Sequence, residues 1–233
     1  MNKVLQEIGV TIVDSSVEYI DHMGDDARAA HAARVSFAKD KTEYSEDNET
    51  VEEKDVKLIN YLAKHKHTSP FEHSILSVKI TCPLAIRSQI MRHRTFSYNE
   101  ISRRYTSQNI EFFNLKSYKK QANKNLQCST EETIDCSEIA EHLVSQAYQH
   151  TIRTYEMLIN AGLSREKARF ILPQGVMTSF WMTGNLLNWF KFLALRLDAH
   201  AQEECREVAQ EILGILEKHF PHTVKVFQEN KFI

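Results

Sequence analysis

The stretch "RHRTFSYNEISRRY", residues 92–105, sets Arg92, His93, Arg94, Arg103 and Arg104 against a single carboxylate, Glu100. A solvated helix face would pair such cations with carboxylates at i, i+4, and only Glu100 is available to do so. The charge is aimed at an anionic ligand outside the segment, or it is plain basic surface. Arginine's fork of donors suits phosphate or carboxylate. A second cluster, "HKHTSPFEH", gathers His65, His67, Glu72 and His73. Imidazole and carboxylate are zinc ligands, but the order is not H-E-x-x-H. The proline-bearing loop gives no helical register to converge two histidines, so no metal is expected. What remains is a loop that touches a ligand or an ordinary surface loop. A third cluster, "LRLDAHAQ", holds Arg196, Asp198, His200 and Gln202 where one helix is expected to break into the next. Asp198 reads as a helix cap. Arg196 follows a strongly apolar stretch, and a cation that emerges from a core into a cleft is a better candidate for chemistry than one on open surface.

Missing motifs narrow the chemistry. There is no G-x-S-x-G, no cysteine lies in the charged stretches, and none of the six glycines has G-x-G-x-x-G or P-loop spacing. Any dinucleotide must be held by side chains. The pI near 6.6 argues against a general nucleic-acid binder, whose affinity needs broad basic surface. The four cysteines show no C-x-x-C, and the N-terminus lacks the apolar core of a signal peptide, so reduced thiols in a cytoplasmic protein are expected. The densest apolar run, "NWFKFLALRL", is interrupted by Lys191 and Arg196 and is too short to span a membrane.

These clusters need elements to position them. With 233 residues, 42% of them hydrophobic, and no repeat or Gly/Ser linker, the chain reads as one continuous domain over 1–233. "GVTIVDSS" from Gly9 is rich in β-branched residues and reads as a strand. "DDARAAHAARVSF" is alanine-rich and helical, and residues 38–50 are polar enough for a mobile loop. Thr50 and Glu53 fit a capping box before a helix carrying Val56, Ile59, Leu62 and Ala63, which ends near "HKHTSP". "ILSVKITCP" alternates Leu76, Val78, Ile80 and Cys82 against polar residues, the clearest strand signal in the chain. Pro83 then starts a helix through "LAIRSQIMRHR". If the R-H-R triplet closes that helix and "SYNEISRRY" is extended, Glu100, Ser102 and Arg104 share one face. Residues 114–136 read as an irregular excursion. Helices are expected over about 137–161, from Ser164 to Leu172, over about 176–196 and over about 198–219. The class is α+β, a central, mostly antiparallel sheet with flanking helices and a helix-rich C-terminal half.

At this point the chain resembles the flavin-dependent thymidylate synthases. "RHRTFSYNEIS" matches their signature, R-H-R followed by seven residues and a serine, and "ARVSF", "HTSPFEH", "RSQIMRHR", "SRRY", "ARFILP" and "LRLDAHAQ" fall in the family's order. The resemblance implies reductive methylation of dUMP to dTMP, with methylenetetrahydrofolate as carbon donor, FAD as hydride carrier and NADPH as reductant. It implies dUMP contacts at Gln89, Arg92, Glu100, Ser102, Arg103, Arg104 and Arg169. FAD contacts are implied at Ser36, His67, Ser69, Arg92, His93, Arg94, Asn99, Glu100, Asn185 and His200. Arg196 is implied to polarise the uracil ring at N3, in a homotetramer whose sites are shared between subunits. Where the family often carries an arginine two residues after the flavin-binding asparagine, this chain has Leu187. Lys191, one helical turn later, restores a cation for the FAD phosphates. A nucleic-acid-binding module and a histidine-dependent metal hydrolase are the rival expectations.

Overall fold

The computed structural model describes residues 10–37 and 53–233. The expected loop at 38–50 and the Thr50 capping box lie outside them. In chain order the elements are β1 (Thr11–Val13), β2 (Ser16–Met23), α1 (Ala27–Arg34), α2 (Glu53–Lys64), β3 (Ile75–Pro83), α3 (Leu84–Ile90), β4 (Ser97–Glu100), β5 (Glu111–Phe113), β6 (Lys119–Gln121), β7 (Ser129–Thr133), α4 (Ser137–Asn160), α5 (Arg165–Ala168), β8 (Met177–Asn185), α6 (Leu186–Arg196), α7 (Glu203–His219) and α8 (Pro221–Glu229). Short 3-10 turns add Val35–Phe37, Ser69–His73 and Arg169–Ile171. The central sheet has the order β2-β3-β8-β4 and is mainly antiparallel, as an α+β chain requires. β1 pairs in parallel with β5, and β6 pairs antiparallel with β7.

The chain folds as two compact units. Among the described residues, the first comprises residues 10–16, Thr81–Arg92 and Glu100–Phe180; the second comprises residues 17–37 and 53–80, His93–Asn99 and Trp181–Ile233. The first has a core of Val10, Phe112, Tyr148, Ile152 and Val176, with Phe112 and Tyr148 stacked at 4.6 Å. Its long helix α4 ends where Gly162 takes φ +90°, a left-handed closure that suits glycine. The core of the second includes Phe71, Phe190 and Phe227, with Phe190 and Phe227 stacked at 4.0 Å. Trp189 donates its indole N–H to the Leu76 carbonyl at 3.1 Å, so the largest buried ring is also satisfied. The buried Asp26 accepts from the backbone N–H groups of His222 and Thr223 at 2.9 and 2.7 Å, which caps the first turn of α8.

The strand β3 alternates as its sequence dictates, with Leu76, Val78, Ile80 and Cys82 fully buried. Elsewhere the expectations need correction. Residues 176–196 are not one helix, because β8 occupies Met177–Asn185 before α6 begins. Strand β2 and helix α8 were not anticipated, and the excursion at 114–136 contains the β6–β7 hairpin. The helix expected from 198 starts at Glu203.

Candidate active site

The cation-rich segment is neither a helix end nor one extended strand. Helix α3 stops at Ile90, and Arg92, His93 and Arg94 lie in the turn that follows. Phe96 anchors this turn. Its ring packs edge-on against Trp189 at 4.6 Å, and a side chain at Gly184 would lie 2.4 Å from it, so the strand opposite must carry glycine. The Tyr98 hydroxyl donates to the His93 carbonyl at 2.7 Å, which closes the turn; burial pushes this phenol up to about 12.

Strand β4 ends at Glu100. The Ser102 hydroxyl then accepts from the Arg104 N–H at 3.3 Å, while its carbonyl accepts from Tyr105 at 3.0 Å. A serine that bonds its own downstream backbone favours a turn over a ladder. The period-two alternation therefore fails after Glu100, and Arg104 does not share a face with Glu100 and Ser102. It points to Glu166, 3.6 Å away.

Within the first unit, Glu100, Ser102 and Arg103 converge with Arg169 on one cavity of about 350 Å³, a volume suited to a small ligand. Leu84, Leu172, Val176 and Met177 give it an apolar wall. Arg87 and Thr178 also line it, and neither stood in the candidate set. Three guanidinium groups, Arg87, Arg103 and Arg169, face one carboxylate, leaving the lining with an excess of two positive charges. Arg103 is tied down by the carbonyls of Gln108 (2.6 Å) and Asn109 (3.0 Å), yet its buried Nε has no acceptor. An orphaned cationic donor on a cavity wall calls for an anionic or carbonyl ligand. Gln89, Arg92 and Arg104 are not among the lining residues.

The second unit holds most of the other candidates. Helix α6 starts with Asn185 as its cap, the side chain accepting from the Asn188 N–H at 2.9 Å. The helix packs on the Ser69–His73 turn and ends at Arg196. The Arg196 Nε–H donates to His93 Nε2 at 3.0 Å, and the His93 ring meets Phe192 edge-on at 4.9 Å. Burial, helped by the Arg196 charge, pulls His93 down to about 4. His93 is thus a neutral imidazole with its proton on Nδ1. Leu187 is 4% exposed and belongs to the core, whereas Lys191 is exposed. Ser36, Ser69, Arg94 and Asn99 are exposed as well. His67 follows a Schellman closure of α2, in which Lys66 takes φ 57° and the His67 N–H reaches the Leu62 carbonyl at 2.8 Å. Asp198 caps no helix. Its carboxylate accepts from the His200 backbone N–H at 2.8 Å and lies 2.9 Å from His200 Nδ1, contacts that hold it below its usual range. Arg206 braces the same loop through the carbonyls of Ala199 and Ala201.

Among the described residues, no group of three or more His, Cys, Asp or Glu side chains could hold a metal, and no helix is long and apolar enough to cross a membrane. Among the described residues Cys82, Cys128, Cys136 and Cys205 form no disulfide, and Cys82 and Cys205 are buried.

A mainly antiparallel α+β chain with a cation-lined, half-apolar cavity defines a protein suited to hold a small anionic ligand. The comparisons with known proteins specify which. Residues 18–222 match the family described as thymidylate synthase complementing protein. The chain is 38% identical to a flavin-dependent thymidylate synthase of Thermus thermophilus, over 92% of its own length and 76% of that protein's. It is 37% identical to that of Thermotoga neapolitana, over 91% and 89%. In structure it is similar to the UMP/dUMP methylase PolB from Streptomyces cacaoi bound with 5-Br dUMP, with a TM-score of 0.83 and 26% identity over 96% of this chain and 99% of that one. The chain belongs to the flavin-dependent thymidylate synthase family and is a methyltransferase.

Proposed function

We propose that this enzyme converts dUMP to dTMP by reductive methylation, with methylenetetrahydrofolate as carbon donor, FAD as flavin and NADPH as reductant. One observation carries the reading: Arg169, far along the chain, meets Glu100, Ser102 and Arg103 at a single cavity. A nucleotide 5′-phosphate is close to a dianion at neutral pH, which matches the excess of two positive charges on the lining. Gln89, Arg92 and Arg104 complete the dUMP set. The structure of PolB is bound with 5-Br dUMP, which supports the same substrate class.

The donor chemistry of the second set fits a flavin. Ser36, His67, Ser69, Arg94, Asn99, Asn185, Lys191 and His200, with His93 and Arg92, offer neutral and cationic hydrogen-bond donors to a ring and two phosphates, and Glu100 offers an acceptor. Bound flavin supplies hydride, so no cysteine nucleophile is required. The chain's own catalytic contribution is Arg196, a fixed cation that favours the N3-anionic form of uracil and so raises electron density at C5. Ser102 acts as a dUMP ligand. The family match spans parts of both compact units, which supports one catalytic domain over 1–233, working as a cytoplasmic homotetramer with shared sites.

Colour tests the reading. Purified protein loaded with FAD is expected to show an oxidised-flavin band that bleaches on adding NADPH, and to release dTMP when dUMP and methylenetetrahydrofolate follow. A protein that stays colourless and cannot be loaded with FAD would overturn it.

A further inference from the structure

Glu100 reaches the cavity with its carboxylate gripped from two other elements. Arg87 on α3 donates through Nε at 3.0 Å and through Nη2 to Oε2, and Thr178 on β8 donates through Oγ1 to Oε1 at 2.7 Å. A carboxylate offers about four acceptor positions, two on each oxygen. Both on Oε2 are filled, and one on Oε1 stays open. The carriers are themselves held in register. The Ile101 N–H donates to the Ser179 carbonyl at 3.0 Å, and the Leu84 N–H donates to the Val176 carbonyl at 3.1 Å. Thr178 is 6% exposed, so its hydroxyl is a buried donor committed to this one acceptor.

An ion pair that served stability alone would be worth little at this degree of exposure and would need no third donor. Three donors on one carboxylate, all lining one cavity, instead fix its rotamer and its direction. They also cancel its charge, which would otherwise repel a phosphate.

We propose that Arg87 and Thr178 are positioning residues for nucleotide recognition, holding Glu100 so that the open position on Oε1 receives a hydrogen bond from bound dUMP. The proposal rests on the cavity being the dUMP site. dUMP carries a suitable donor in the ribose 3′-hydroxyl, since uracil N3 is the position assigned to Arg196. Arg103 and Arg169 are then left to the phosphate.

The test uses the FAD-loaded enzyme and reads dUMP binding by calorimetry together with kcat and KM. Thr178→Val keeps the shape and removes the donor, Thr178→Ser returns it, and Arg87→Lys keeps the charge but loses the fork. KM for dUMP is expected to rise about tenfold in Thr178→Val and in Arg87→Lys, the loss of one oriented hydrogen bond, with kcat changed less than about twofold. Thr178→Ser should recover most of the affinity. In a Glu100→Gln background, Arg87→Lys should add nothing, because it acts through the carboxylate. That cycle stays informative even if Thr178→Val folds poorly. Unchanged KM in both single variants, or an undiminished further loss in the Glu100→Gln background, overturns the positioning role. Absence of any dUMP binding to the unsubstituted enzyme overturns the cavity reading as well.

Discussion

The contact between Arg196 and His93 joins the one cation that sequence reasoning singled out for chemistry to the middle residue of the R-H-R triplet. Because His93 Nε2 accepts from Arg196 Nε, a proton on that nitrogen would break the bond and set two cations together. The groups facing the ring are the Arg196 guanidinium and the Phe192 edge, with the Tyr98 hydroxyl on the His93 carbonyl. A histidine held at about 4 against its ordinary 6.5 is protonated in the unfolded chain before the folded one. Between those values the unfolded state binds more protons, so stability from this site is full above about 6.5 and falls as the pH drops toward about 4. His93→Gln, neutral throughout, is expected to flatten that part of the stability profile, checked by urea midpoints at several pH values from 7 to 4. An identical slope in both proteins would show that other groups set it. Arg196→Ala is expected to retain flavin yet form no dTMP, measured by absorbance and product assay. Normal turnover would remove the role assigned to that residue.

Strand β3 was legible because one of its faces is buried and its polar residues alternate with the core set. Strand β8 was not. "MTSFWMTGN" runs into the apolar helix α6 with only Gly184 and Asn185 to mark the break, and a short apolar run fits a buried helix as well as a strand. The aromatic and threonine content of Phe180, Trp181 and Thr183 was the available strand signal. The candidate cavity shows the same division. Glu100 and Ser102 were legible from their motif, and Arg103 and Arg169 only through the family resemblance. Arg87 and Thr178 were not, since their significance is a tertiary contact with Glu100. The turn at Ser102 overrode the expected alternation through a local hydroxyl bond that spacing alone does not reveal. Phe96 is an apolar residue among charges with no spacing signal of its own, although it fixes the triplet to β8 and α6. Gly184→Ala tests that anchor. Its new methyl would meet the Phe96 ring at 2.4 Å, and overpacking of this kind costs about 1–3 kcal/mol. A lower Tm and weaker flavin retention are expected, with partial recovery in Gly184→Ala, Phe96→Leu, whose smaller side chain yields the space. No recovery in the double variant would place the damage elsewhere in the strand.

Assembly follows from surface that one chain leaves uncovered. On α4, Ile139, Leu143 and Met157 are 62%, 58% and 72% exposed. At 100° per residue they fall within about 40° of one another, one stripe along a helix whose opposite side feeds Tyr148 and Ile152 into the core. Large apolar side chains aligned on an exposed face mark an interaction surface more often than chance exposure does. The homotetramer proposed above would supply the cover without any further partner. Placing charges there should therefore act on assembly before it acts on the fold. Leu143→Glu, Met157→Glu is expected to shift the mass measured by light scattering from tetramer toward smaller species at micromolar concentration. Far-ultraviolet circular dichroism should stay unchanged, because neither side chain contributes to the core cluster. Activity should fall with the loss of tetramer if subunits share their sites, and should survive dissociation if each chain is complete. An unshifted mass in the double variant would assign the contacts between subunits to a different face.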